Sequence, residues 1–177
     1  MSTELNFEKV LGRGGFCVVS EINSINLNSK TVKEPEGING SNTRKYMSTH
    51  FMRNKHGRYA VKLLSKECRK NKVLHLKGAI DLAVETKFLA VLQHPHIIKM
   101  RGVCDIGYVS DGYFLILDRL YDTLEMRITQ WKNEKSSCLD LLSKVICSEK
   151  RKNKLLCHRM GVANQLCSAM TYMHTRQ

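Results

Sequence analysis

The chain has no run of apolar residues long enough to cross a bilayer. Its first ten residues, Met1 to Val10, are polar and partly acidic, which excludes a secretory signal peptide. The seven cysteines contain no Cys-x-x-Cys pair. Cys138, Cys147 and Cys157 are too widely spaced for a usual zinc site, even with His158 beside the last, so no metal centre is expected. An odd cysteine count without a signal sequence points to free thiols in a reducing compartment. The expected location is the cytoplasm or the nucleus, not the secretory route. Asn39-Gly40-Ser41 fits the glycosylation pattern, but without secretion the match is chance.

Acidic residues are the other shortage. Sixteen of them face 29 lysines and arginines in 177 residues, a formal net charge of +13. Such an excess suits a nucleic acid, a nucleotide, an acidic membrane surface, or insertions with solvated basic faces. Its distribution favours the last. Residues 127–160 carry nine basic and three acidic residues, and 27–56 carry six and two. Neither stretch interleaves aromatic residues as a stacking surface would, and no zinc-finger or helix-turn-helix pattern accompanies them. Nucleic acid and membrane are therefore not expected partners. At 177 residues, with an ordinary apolar share of 42%, the chain is long enough for one domain with a sizeable core, or one domain and part of another.

Three stretches carry the chemistry. Tyr59-Ala60-Val61-Lys62-Leu63-Leu64 is an apolar run with one lysine inside it, and a lysine in a buried strand needs an anionic partner. Upstream, Gly12, Gly14 and Gly15 form a turn between two apolar runs, where glycine permits positive φ and close backbone approach. Downstream, Gly78 to Gln93 reads as the main helix. Glu85, Leu89 and Leu92 share one of its faces, and His94-Pro95 ends it. Strands are expected at Phe7–Leu11, Val18–Ile22, Gly57–Leu64, Ile97–Cys104 and Tyr113–Leu117, the last after an Asp111-Gly112 turn. Ser65 to Lys77 reads as a connector with one helical turn at most. Helices follow at 123–131 and 161–176, the second with Val162, Leu166, Ala169, Met170 and Met173 on one stripe. The fold class is α+β: a five-stranded antiparallel sheet with one main helix, then further helices. Residues 27–56 and 132–160 read as insertions without packed structure, where a protease would cut first.

The order of these motifs resembles the small lobe of a eukaryotic-type protein kinase. Leu11 to Val19 reads Leu-Gly-x-Gly-x-Phe-x-x-Val, Ala60 and Lys62 match Ala-x-Lys, and the string from Glu85 to Ile98 is similar to the third helix and the strand after it. The resemblance implies two domains, a small lobe over 1–120 and part of a helical large lobe over 121–177. It implies ATP as the ligand. Gly12 and Gly14 would let the backbone approach the phosphates, Phe16 would cap them and Val19 would pack on the adenine, with Leu11 and Ala60 among the nucleotide-binding residues. Lys62 would hold the α- and β-phosphates while paired with Glu85. Leu117 would be the gatekeeper, and backbone groups of Asp118 and Leu120 would meet the adenine edge, with Asp122 or Glu125 near the ribose. Cys17 departs from the pattern, standing where the family has a third glycine. Residues 165–174 are similar to the central helix of the large lobe.

Phosphoryl transfer also needs positioned magnesium and a residue to orient the attacking hydroxyl. The catalytic-loop and Asp-Phe-Gly motifs that supply them have no match in these 177 residues. The expectation is a truncated domain, of the serine/threonine type, that binds ATP weakly without a magnesium site and transfers nothing. The alternative is a non-catalytic interaction or scaffold module, with a protein partner covering the 161–176 helix. A basic nucleic-acid-binding protein is the third reading and the least supported.

Overall fold

The computed structural model describes residues 5–25, 45–53, 56–104, 106–137 and 148–175. It is an α+β structure that divides into two compact units: Met1–Gln93 with Ile98–Arg119, and His94–Ile97 with Leu120–Gln177. Among the described residues no helix is long and apolar enough to cross a membrane.

The first unit is built on an antiparallel sheet of five strands in the order β1-β2-β5-β7-β6. These are β1 (Leu5–Arg13), β2 (Cys17–Ile25), β5 (Tyr59–Leu64), β6 (Met100–Val103) and β7 (Phe114–Asp118). The five strands and their antiparallel pairing match the sequence expectation, with ends displaced by a few residues. A two-stranded ribbon of β3 (Met52–Arg53) and β4 (His56–Gly57) precedes β5. Because strand side chains alternate, Tyr59-Ala-Val-Lys-Leu-Leu feeds two cores at once. Leu64 joins Cys17, Ala79, Leu82, Leu115 and Leu117 on one face of the sheet. Tyr59, Val61 and Leu63 join Ile22 and Met47 on the other. That double burial is why β5 reads as a continuous apolar run.

Helix α3 (Lys72–Val91) covers the first face. It begins well before Gly78, because the Asn71 side chain caps it by accepting from the N–H groups of Val73 and Leu74 at 3.0 and 3.1 Å. The short α2 (Lys66–Lys70) comes first, capped by Ser65. The supposed connector at 65–77 is therefore mostly helix. The other face is covered by the tail of the supposed first insertion. Helix α1 (45–49) puts Met47 at 5% exposure in that core, with Phe51 packed beside it. Met47 and Phe51 pack this part onto the sheet, where the reading over 27–56 expects none packed. The rest of that reading, at 27–44 and 54–55, lies outside the described residues.

The second unit contains α4 (Leu124–Ser137) and α5 (Ser148–His174). Both run further into the supposed second insertion than expected. Trp131 on α4 is buried, with the Arg159 guanidinium 5.5 Å from its ring centre and His158 edge-on at 5.6 Å. These contacts explain why a basic stretch is helical: Arg159 and His158 lie against an indole. Residues 138–147 of that supposed insertion lie outside the described residues. On the expected stripe of α5, Ala169 is buried and Val162 half-buried, while Leu166, Met170 and Met173 are exposed. In the same unit His94 Nε2 lies 3.1 Å from Ser168 Oγ.

The first unit carries one buried ion pair that no local pattern announces. Glu21 on β2 pairs with Arg119, their side chains 9% and 7% exposed. Glu21 Oε1 also accepts from the Gly57 N–H at 2.6 Å. Gly57 has to be glycine, since a Cβ there would stand 2.6 Å from the Ile22 carbonyl oxygen. Removing one partner of such a pair leaves the other charge buried. Arg119→Met is expected to cost about 3–5 kcal/mol in urea denaturation, and Glu21→Gln added to it should recover a large part of the loss. A loss under about 1 kcal/mol would mean that water reaches the pair.

Candidate functional site

The site grows from one register. Val19 on β2 lies opposite Lys62 on β5, and Gly12 on β1 lies opposite Val19. Directly opposed residues share a face. The lysine, the valine and the first glycine therefore lie on one side of the sheet, the side that α3 covers. There Lys62 Nζ and Glu85 Oε2 form an ion pair, with side chains 23% and 34% exposed.

Several contacts hold α3 at the height this pair needs. Tyr113, just before β7, donates its hydroxyl to Thr86 Oγ1 at 3.0 Å, and Thr86 Oγ1 bonds the Leu82 carbonyl at 2.7 Å. Both residues are buried. Gly78 lets the helix come close to the turn between β1 and β2, since a Cβ there would be 2.9 Å from Phe16 Cβ and 2.8 Å from Leu64 Cδ2. Thr86, Tyr113 and Gly78 had no motif to mark them in the sequence.

A cleft of about 430 Å3 opens between the glycine turn and α3. That is within the size range of small-molecule sites, roughly 300–1,000 Å3. Gly12, Gly14, Phe16, Val19, Lys62 and Glu85, all expected from the sequence, line it. Gly15, Arg13, Cys17, Asp81 and Leu82 also line it. Asp81 lies one turn before Glu85, so helical spacing alone places it on the same side.

The turn differs from expectation in detail. Glycine permits positive φ at Gly12, Gly14 and Gly15, but none of the three has a left-handed backbone. A Cβ on Gly12 or Gly15 would meet nothing, so these glycines leave room above the cleft. The Gly14 N–H closes the turn on the Cys17 carbonyl at 2.8 Å. Phe16 packs inward against the core, and Cys17 is buried within it. Leu11 is half-buried on β1.

The remaining expected residues lie further along. Ala60 is buried opposite Leu117, which belongs to the core under α3. The Asp118 carboxylate is held by Arg101 through two bonds of 2.6 and 2.8 Å, which raises the Arg101 pKa. The Asp118 N–H donates to the Lys99 carbonyl at 3.0 Å, so a ligand could meet only its carbonyl. Leu120 belongs to the second unit and is 68% exposed. Asp122 is paired with Arg127, one turn into α4. Among the described residues no group of three or more His, Cys, Asp or Glu side chains is placed to hold a metal ion.

No protein-family model matches the chain, and a comparison with curated proteins finds no match either.

Burial pushes the Cys17 thiol pKa upward, and does the same to Cys68 in the same core. A raised pKa leaves less thiolate at a given pH, and the thiolate is the nucleophile. Iodoacetamide at pH 8 should therefore label the exposed Cys157 and Cys167 well before Cys17 and Cys68. Peptide mapping by mass spectrometry reads the order, and urea should abolish it. Equal rates in the folded chain would show that the glycine turn opens readily.

Proposed function

We propose that the first unit is a nucleotide-binding lobe of the protein-kinase type, with ATP as its ligand. The observation that carries this reading is the Lys62–Glu85 pair beneath a glycine turn, in a cleft of ligand size. A half-buried ammonium with one carboxylate partner keeps donors for a second anion, and a phosphate is the anion that suits an adjoining turn of backbone amides. The residues present fit the triphosphate end of ATP. Lys62 would bind phosphate oxygens, held in place by Glu85. Gly14 spends its N–H within the turn, so the amides of Gly15 and Phe16 would serve instead. Val19 and Leu82 would supply apolar contact, and the Asp118 carbonyl would accept from the adenine amino group.

The same residues argue against transfer by this chain. Magnesium-binding carboxylates and a residue to orient the hydroxyl have no match in the 177 residues, and both are required for the reaction. The proposed role is weak nucleotide binding without catalysis. The second reading, a non-catalytic interaction module, draws support from the exposed Leu166, Met170 and Met173 on α5, a face that a protein partner would cover.

The test is a titration of the purified chain with a fluorescent ATP analogue, with and without magnesium. Binding is expected with a Kd of roughly 0.1–1 mM. It should depend little on magnesium. Lys62→Met should weaken it at least about tenfold, since charge-assisted bonds to phosphate are lost. No phosphate transfer should exceed that of the same variant. Binding unchanged in Lys62→Met would refute the assignment of the cleft. Transfer by the wild type that the variant lacks would refute the non-catalytic role.

A further inference from the structure

Helix α3 is apolar on two opposite sides. Gly78, Ala79, Leu82 and Thr86 are buried against the sheet side. At about 100° per residue, Val73, Leu76, Ile80, Val84, Phe88 and Val91 fall within about 60° of a single line along the other side. All six are exposed, by 47% to 63%. The two remaining positions in that arc are Lys77 and Lys87, both exposed, and it contains no acid. Scattered apolar side chains are normal on a surface, but six large ones in one line are not. Nor does the helix gain from them. Valine, isoleucine and phenylalanine are weaker helix formers than the lysine, glutamate or glutamine that would otherwise suit solvated positions.

We infer that this stripe docks an amphipathic helix of a partner protein, apolar on one side and bordered by acidic residues. Charge decides among the occupants. In a second copy of the chain, paired parallel or antiparallel about the middle of the stripe, Lys77 and Lys87 meet the copy's lysines, and like charges oppose the contact. An acidic helix gives each lysine a carboxylate while it covers the six apolar side chains. An anionic membrane would also attract the lysines. However, Asp81 borders the arc, and a flat surface would press that carboxylate towards the headgroups. None of the six side chains lines the cleft, so the docking stands apart from the nucleotide-binding reading.

The test uses the 177-residue chain and two designed helical peptides of about 20 residues. Both carry the same leucine stripe, one bordered by glutamates and the other by lysines. Fluorescence anisotropy should show the glutamate peptide binding saturably and at least about tenfold more tightly than the lysine peptide. Added salt should narrow that gap. Ile80→Asp or Val84→Asp should abolish binding, with circular dichroism confirming that the variant is folded. Lys77→Glu with Lys87→Glu, which changes only exposed charges, should reverse the preference between the peptides. Equal affinity for the two, no binding of either, or binding indifferent to these substitutions would overturn the inference. So would self-association that Val84→Asp removes, which would give the stripe to a second copy. Sedimentation with phosphatidylserine vesicles in the absence of peptide binding would give it to a membrane.

Discussion

The first unit depends on bringing one lysine and one glutamate together across two different elements. Lys62 is fixed by a strand whose neighbours are buried on both faces. Glu85 is fixed by a helix that could slide or turn. Either charge alone in this half-buried place would be costly, and together they are tolerable only at close range. The fold supplies that range through restraints on α3 alone: the Asn71 cap at its start, the Gly78 approach to Phe16, and the Tyr113–Thr86 hydrogen bond. The pair also sets the character of the cleft. It leaves an ammonium group neither fully neutralised nor fully solvated, facing an open turn of backbone.

The sheet was legible in the sequence because its strands announce themselves locally. Apolar runs bounded by glycine and the Asp111-Gly112 turn gave five strands and one covering helix. The start of α3 was not legible, since its outward side is as apolar as its inward side and the usual period is blurred. Asn71, a capping residue just before the helix, was the available signal. Met47 and Phe51 stand in a polar stretch without a period, so nothing local showed that they fold back onto the sheet. Glu21 and Arg119 are 98 residues apart, and no short-range pattern joins them.

The site was legible to the extent that it depends on order. Glycine turn, strand lysine and helix glutamate occur in sequence, and the structure brings Gly12, Val19, Lys62 and Glu85 to one cleft. The orientation of the turn was not legible. Whether Phe16 and Cys17 point up or inward depends on what lies below them, and the close approach of Gly78 is a long-range fact. Asp118 shows the same limit: its position follows from the strand, but its engagement by Arg101 and Lys99 follows from strand pairing.

The strand order has a consequence for the protein as it is synthesised. β7 is the last strand of the sheet to leave the ribosome, yet it lies between β5 and β6. Until Phe114–Asp118 has emerged, β5 has a bare edge and β6 has no neighbour in the sheet. A nascent chain stalled before that point would expose an apolar strand with unpaired backbone groups, the kind of edge that other chains add to. β1, β2 and β5 can pair beforehand, but completion of the sheet is timed by the passage of one five-residue strand. Chaperone protection would matter most in the interval between emergence of Leu64 from the ribosome and emergence of Asp118.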